Sequence, residues 1–167
     1  MNEFVYIGKI VNTHGIKGEL RIISDFKFKE RVFLENRRIY IGEDHHEEVI
    51  ESYRHHKIYD MITLKGYTNI NEVLQFLKKN VYVKRYDLSL STIDYLDEDL
   101  IGLKALLDNG ETGTVVAITS NGGNNKTIEL LVNGKKVLIP YHKDFIKSVN
   151  IDQKFIELKT VEGLLWE

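Results

Sequence analysis

The sequence predicts a mainly β chain, folded as two small β-barrels joined by a short linker, with one helix in the first domain. Three observations lead there. Apolar residues recur at every second position through both halves of the chain. A single segment, residues 68–80, switches to helical spacing. An acidic, polar stretch after Tyr86 interrupts the alternation before strands resume.

In the first half the strand candidates are "FVYIGKIV", "ELRIIS", "RRIYIG", "EVIESYRHH", "IYDMITLKGY" and "VYVKRY", rich in Val, Ile, Tyr and Thr and separated by short polar connections. In "TNINEVLQFLKKN" the apolar residues Ile70, Val73, Leu74 and Leu77 fall on one helical face. Asn69 is placed to cap that helix with Glu72 three residues on, and Lys78 and Lys79 suit its negative end. Six strands in an open sheet of this size would leave exposed edges, so closure into a barrel is expected over residues 1–86.

Residues 87–97 read as the linker and residues 98–167 as the second domain. Turn signals stand at Asp108-Asn109-Gly110, at Asn121 to Asn125 and at Asn133-Gly134. Between them "LKALL", "GTVVAIT", "TIELLV", "KVLIPY" and "KFIEL" are strand candidates, and "HKDFIKSV" is expected to add a short helical turn. Pro140 cannot donate to a ladder and should mark an edge or an exit. A unit of about 70 residues sits near the lower limit for an autonomous core, which favours a small closed barrel.

Composition excludes several function classes. With 43% hydrophobic and 29% charged residues and no long apolar run, the 167-residue chain is expected to be a soluble, cytoplasmic monomer with no membrane span. The absence of cysteine removes disulfides and thiolate chemistry. No glycine-rich loop runs into Lys-Ser/Thr, and no nucleophile elbow is present, so neither nucleotide hydrolysis nor a catalytic residue is expected. The histidines His14, His45, His46, His55, His56 and His142 do not stand at metal-ligand spacing, so no metal and no cofactor is expected. Charge is uneven: residues 1–86 carry 15 Lys/Arg against 12 Asp/Glu, whereas residues 87–167 carry 8 against 13. The basic half suits phosphate and the acidic half a basic protein.

The loop "NTHGIKGEL" joins two strands and does not open a helix, so Gly15 and Gly18 are read as positive-φ residues of a hairpin connection. Lys9, Lys17 and Arg21 flank it, and "YRHHKIY" sets Arg54, His56 and Lys57 among Tyr53 and Tyr59 at another hairpin tip. Cations interleaved with aromatics neutralise phosphates and stack on unpaired bases.

In order and spacing, "IGKIVNTHGIKGEL", "YRHHKIYDMITLKGYTNINEVLQFLKKNVYV", "DLIGLKALLDNGETGTVV" and "VLIPYHKDFIKSVNIDQKFIEL" resemble the bacterial ribosome maturation factor family RimM, over nearly the whole chain. The resemblance implies an N-terminal translation-factor-like barrel, a linker and a C-terminal PRC barrel. It implies a non-catalytic assembly factor that binds the immature small ribosomal subunit, helps its head domain mature and so supports small-subunit rRNA processing. Its partners would be small-subunit rRNA and the nineteenth small-subunit ribosomal protein, a basic protein of the head. On this footing Lys9, His14, Lys17, Arg21, Arg54, His56 and Lys57 become candidate RNA contacts. Tyr95, Asp99 and Tyr141 become candidate ribosomal-protein contacts, and Gly15, Gly18 and Gly102 structural loop residues. Two positions depart from the family pattern: Leu96 stands where a second aromatic is common, and Asn125 where an acid is common. Two other readings stay open at this point, a small-molecule enzyme of reductase-like barrel using His14, and an adaptor binding proteins only.

Overall fold

The computed structural model describes residues 3–91, 94–120 and 125–160. Contacts divide the chain into two compact units, residues 1–89 and 90–167.

In the first unit, alternation drives six strands: β1 (Phe4–His14), β2 (Glu19–Ile23), β3 (Arg38–Ile41), β4 (His46–His56), β5 (Tyr59–Leu64) and β6 (Asn80–Lys84). They close a barrel in the order β1-β2-β5-β4-β3-β6. Val5, Ile7, Ile10, Leu20, Ile22, Ile39, Ile50, Ile62, Leu64, Val81 and Val83 fill its interior. β1 serves two neighbours, β2 and β6, and its register slips against each, between Ile10 and Asn12 and between Tyr6 and Gly8. Such bulges bend a strand and let the sheet curl shut. A short helix α1 (Lys29–Val32) lies between β2 and β3 and buries Val32.

The expected helix after residue 68 is cut short. Helix α2 spans Ile70–Val73 only, and a 3₁₀ turn, Leu74–Phe76, follows it. The predicted cap forms, with Glu72 N–H donating to Asn69 Oδ1 at 3.3 Å and Asn69 N–H donating to Glu72 Oε1 at 3.1 Å. The helix stops because the next backbone groups are claimed by β1: Lys78 N–H donates to Ile10 O at 2.8 Å and Ile10 N–H donates to Lys79 O at 3.0 Å. Tertiary pairing outweighs the weak preference of one turn.

A 3₁₀ turn, Arg85–Leu88, ends the first unit with Leu88 buried. The second opens with helix α3 (Asp97–Leu100). Its strands are β7 (Lys104–Leu107), β8 (Thr112–Ser120), β9 (Lys126–Val132), β10 (Lys135–Pro140), β11 (Ile146–Asn150) and β12 (Phe155–Leu158). The sheet order is β10-β9-β8-β7-β12-β11, so this ladder has two ends where the first unit's closes on itself. β7 and β12 pair parallel; every other pairing in the sheet is antiparallel. Leu103, Ala105, Leu107, Val115, Ile128, Leu130, Val137, Ile139, Ile156 and Leu158 form its core. Pro140 is the last residue of the terminal strand β10.

Segment 142–149 corrects the sequence reading. A helical turn does form, with Ile146 N–H donating to His142 O at 3.1 Å, but Ile146 onward is strand β11, held by β12. No helix of the described residues is long and apolar enough to cross a membrane.

Candidate RNA and protein interfaces

Two hairpin tips of the first barrel carry its chemistry. The β1–β2 turn runs through Gly15, with φ +74°, and Gly18, with φ +91°. A Cβ at Gly18 would stand 3.0 Å from Asn69 O, so the turn lies directly on the cap of α2. Ile70 N–H fixes it there by donating to Ile16 O at 2.9 Å. The β4–β5 turn is tighter, with Lys57 in the left-handed region at φ +57° and His56 paired to Tyr59.

Between the tips, Arg21 Nη2 donates to His14 Nδ1 at 2.7 Å, which fixes the imidazole with its proton on Nε2. The Arg21 guanidinium also lies 5.2 Å from the centre of the Tyr59 ring. The rings of His14 and His56 stand 6.1 Å apart. Arg54 is held by both oxygens of Glu19, Nε to Oε2 at 2.8 Å and Nη2 to Oε1 at 2.7 Å. That bidentate bond holds the Glu19 carboxyl below its usual range. His56 is also lowered, first by desolvation and then by the positive charge of Arg54 and Lys57.

All seven candidate RNA residues, Lys9, His14, Lys17, Arg21, Arg54, His56 and Lys57, belong to these two hairpins. Lys9 lies within β1, five residues before His14, with Ile23 and Asn80 as its ladder partners. The cations divide by availability. Arg21 and Arg54 are engaged inside the cluster, whereas Lys9, Lys17 and Lys57 are exposed and make no ion pair among the described residues. Sequence reasoning missed Glu19, which neutralises Arg54 from a strand that is not its ladder neighbour, a relation no local pattern encodes. It also missed the exposed tip residues Ile16 and Ile58.

In the second unit Asp97 is the organising group. Its Oδ1 accepts from Tyr141 Oη at 2.8 Å and its Oδ2 from Lys126 Nζ at 2.8 Å. Lys126 also lies 5.7 Å from the centre of the Tyr141 ring, and Tyr141 N–H donates to Lys126 O at 2.9 Å. Burial, with the Asp97 charge second, pushes the Tyr141 phenol far above its usual range. Burial likewise raises Tyr95, which packs against the core beside Tyr141. Asp99 turns inward to accept from Leu96 N–H at 2.9 Å, so it serves the start of α3. Leu96 is buried and anchors the start of α3. Gly102 takes φ +92° and donates its N–H to Val115 O at 2.8 Å, seating α3 on β8. Asn125 is exposed, and residues 121–124 of its loop lie outside the described residues. Neither Asp97 nor Lys126 stands out in the sequence, because 29 positions separate them.

Among the described residues no three His, Asp or Glu side chains converge as a metal site. A surface cavity of about 470 Å³ in the first unit is lined by Gly42, Glu43, Asp44, Lys78, Lys79, Asn80 and Tyr82, without His14.

Comparison with known proteins matches residues 5–88 to the RimM N-terminal domain and residues 97–164 to the RimM PRC barrel domain. The chain belongs to the RimM family. The ribosome maturation factor RimM of Bacillus cytotoxicus is 37% identical over 171 residues, covering 99% of this chain and 100% of that protein. The RimM of Bacillus thuringiensis strain Al Hakam is 36% identical with the same coverage. The solution structure of the N-terminal domain of RimM from Thermus thermophilus covers 52% of this chain and 95% of its own, at 25% identity and TM-score 0.44. RimM proteins are a family of non-catalytic assembly factors in ribosome maturation.

Proposed function

We propose that this RimM-family chain binds the immature small ribosomal subunit, assists maturation of its head domain and so supports small-subunit rRNA processing. The observation that supports the reading is the basic cluster on the outer wall formed by β1, β2, β5 and β4 of the first barrel. There a preorganised cluster of His14, Arg21, Arg54 and His56 lies between two exposed lysines, Lys17 in the β1–β2 turn and Lys57 in the β4–β5 turn. Lysines with no internal ion pair offer charge to phosphate, and the rings beside them offer flat faces to unpaired bases. Lys9 adds a phosphate contact further along the wall. In the second unit the surface around Tyr95, Asp97, Glu98 and Tyr141 receives the nineteenth small-subunit ribosomal protein, whose basic character fits the acidic half of the chain. Asp99 supports that surface from within.

No covalent step is needed. A factor that binds a native-like head more tightly than its misfolded alternatives shifts the population toward it, tenfold for each ~1.4 kcal/mol of preference. Two modest contacts on one chain reinforce each other through effective concentration. The bond from Arg21 to His14 Nδ1 uses the lone pair a general base would need, which supports binding over catalysis at this cluster.

Sedimentation of lysate on a sucrose gradient tests the reading. The full chain should travel with free small subunits and stay off mature ribosomes, and Lys17→Glu/Lys57→Glu should release it to the top of the gradient. A chain that never enters the small-subunit fractions overturns it.

A further inference from the structure

Strands β1, β6 and β3 carry an aromatic row on the outside of the first barrel. Tyr82 is its centre: its ladder partners are Tyr6 on β1 and Tyr40 on β3, and its chain neighbours Val81 and Val83 fill the interior, so these phenols point outward. The ring of Tyr6, 49% exposed, lies 6.0 Å from that of Tyr82. The ring of His45 lies 4.8 Å from Tyr82 and stacks on Phe4 at 3.9 Å.

The next outward row holds the surface cavity of about 470 Å³, a size that suits a small ligand. Asn80 pairs there with Lys9 on β1, and its carbonyl accepts from Gly42 N–H at 2.9 Å. Tyr82, Glu43, Asp44, Lys78 and Lys79 line the same space. Its two bordering turns are preorganised. His45, at φ +52°, and Lys78, at φ +66°, hold a left-handed backbone that side chains rarely adopt, and such strain gathers at functional sites. His45 N–H donates to Gly42 O at 3.1 Å, and Lys78 N–H to Ile10 O at 2.8 Å. A Cβ at Gly42 would stand 3.2 Å from Asp44 Oδ1 and 3.3 Å from Lys79 Cδ, so glycine is what leaves the cavity open between the turns. Yet Lys9, Lys78, Lys79, Glu43 and Asp44 make no ion pair among the described residues, which leaves their charges available to a ligand.

Resting on the reading that the chain binds rRNA, we infer that this cavity takes one unpaired nucleotide of a single-stranded rRNA segment. Its base packs on Tyr82 and its phosphate meets Lys78 and Lys79, while Tyr6 receives the neighbouring base and Lys9 the neighbouring phosphate. Glu43 and Asp44 repel phosphate from the β3–β4 turn, so the strand enters with its backbone on the lysine side. Three lysines against two acids disfavour a basic peptide as the occupant. A finished duplex keeps its bases stacked and offers Tyr82 no free face, so the site selects RNA that has not yet paired.

The test measures binding of the full chain to fluorescent hexauridylate by anisotropy across a salt series. Tyr82→Leu should weaken it about tenfold with an unchanged salt slope, and Tyr82→Phe should bind normally. Lys78→Gln/Lys79→Gln should make the slope shallower by about 0.7 per lysine. Both lysines are exposed, so this variant keeps its fold and decides the matter even if Tyr82→Leu melts early. With 4-thiouridine in the strand, ultraviolet adducts should fall on Tyr6, Tyr82 or residues 78–80. The inference is overturned if the leucine and glutamine variants bind the hexamer like the unaltered chain, or if the adducts fall only around His14, Arg21 and Arg54. Competition by uridine monophosphate as strong as by unlabelled hexamer would assign the cavity to a free nucleotide and overturn it too. In each of these cases sedimentation with small subunits persists and the proposed function stands. Absence of the unaltered chain from the small-subunit fractions would instead bring down that function, whatever the hexamer does.

Discussion

Lys29 Nζ stands 2.8 Å from Oδ2 of Asp60, a carboxylate with no exposed surface. The pair ties α1 to β5, and Tyr53 Oη on β4 completes the site by donating to Asp60 Oδ1 at 2.7 Å. Removing only the lysine leaves a buried charge with less compensation. Lys29→Met should therefore destabilise the first unit by about 1–3 kcal/mol, below the full figure for a buried pair because Lys29 is one-third exposed. Lys29→Met/Asp60→Leu should recover most of that loss. Urea denaturation midpoints with unchanged slopes check both.

The Tyr53 phenol is pushed up to about 12, first by desolvation and then by the bond to Asp60. Its folded value lies above the ordinary 10.0, so the stabilisation is complete below pH 10 and disappears as pH rises through about 12. A spectrophotometric titration of the phenolates should show Tyr53 among the last to ionise. Tyr53→Phe should delete that late component.

At the Glu19–Arg54 pair the sign is opposite. The carboxyl is lowered in the folded chain, so its contribution is present above the ordinary 4.5 and fades as pH falls below it. Arg54→Met should return the Glu19 titration toward its ordinary range, followed by carboxyl carbon shifts in NMR.

Gly18→Ala meets both a left-handed φ and the Asn69 carbonyl at 3.0 Å, whereas Gly15→Ala meets only the φ, with no atom within 4 Å. Gly15→Ala should cost about 1 kcal/mol and Gly18→Ala clearly more. Thermal unfolding orders the two.

Asp97→Ala removes the acceptor shared by Tyr141 and Lys126. A loss of about 1–3 kcal/mol in the second unit is expected, with faster amide exchange in α3 than in β8.

The legible parts of this molecule are those whose cause is local. Alternating apolar residues announce eleven of the twelve strands among the described residues, the Asn69–Glu72 cap is written in four consecutive positions, and Gly15 and Gly18 reveal their backbone by identity. The twelfth strand, Ile146–Asn150, is obscured by the helical turn that leads into it, and only its pairing with Phe155–Leu158 makes it a strand. α2 ends early for a like reason, since β1 competes for Lys78 and Lys79. At the candidate sites, residue types are readable and partnerships are not. Arg54 reads as a free cation in the sequence, yet Glu19, 35 positions away, closes on it. Asp99 reads as a surface acid, yet it turns onto Leu96 N–H.

The parallel pairing of β7 with β12 has a consequence for how the chain is made. β12 lies between β7 and β11 in the sheet, so the strand formed first in the second unit waits for one synthesised some fifty residues later. The first barrel can close once β6 has emerged, but the second cannot complete its sheet until Leu158 has cleared the exit tunnel. While translation continues, β7 therefore presents an unpaired edge to its crowded surroundings, and any pause before Phe155 lengthens that exposure.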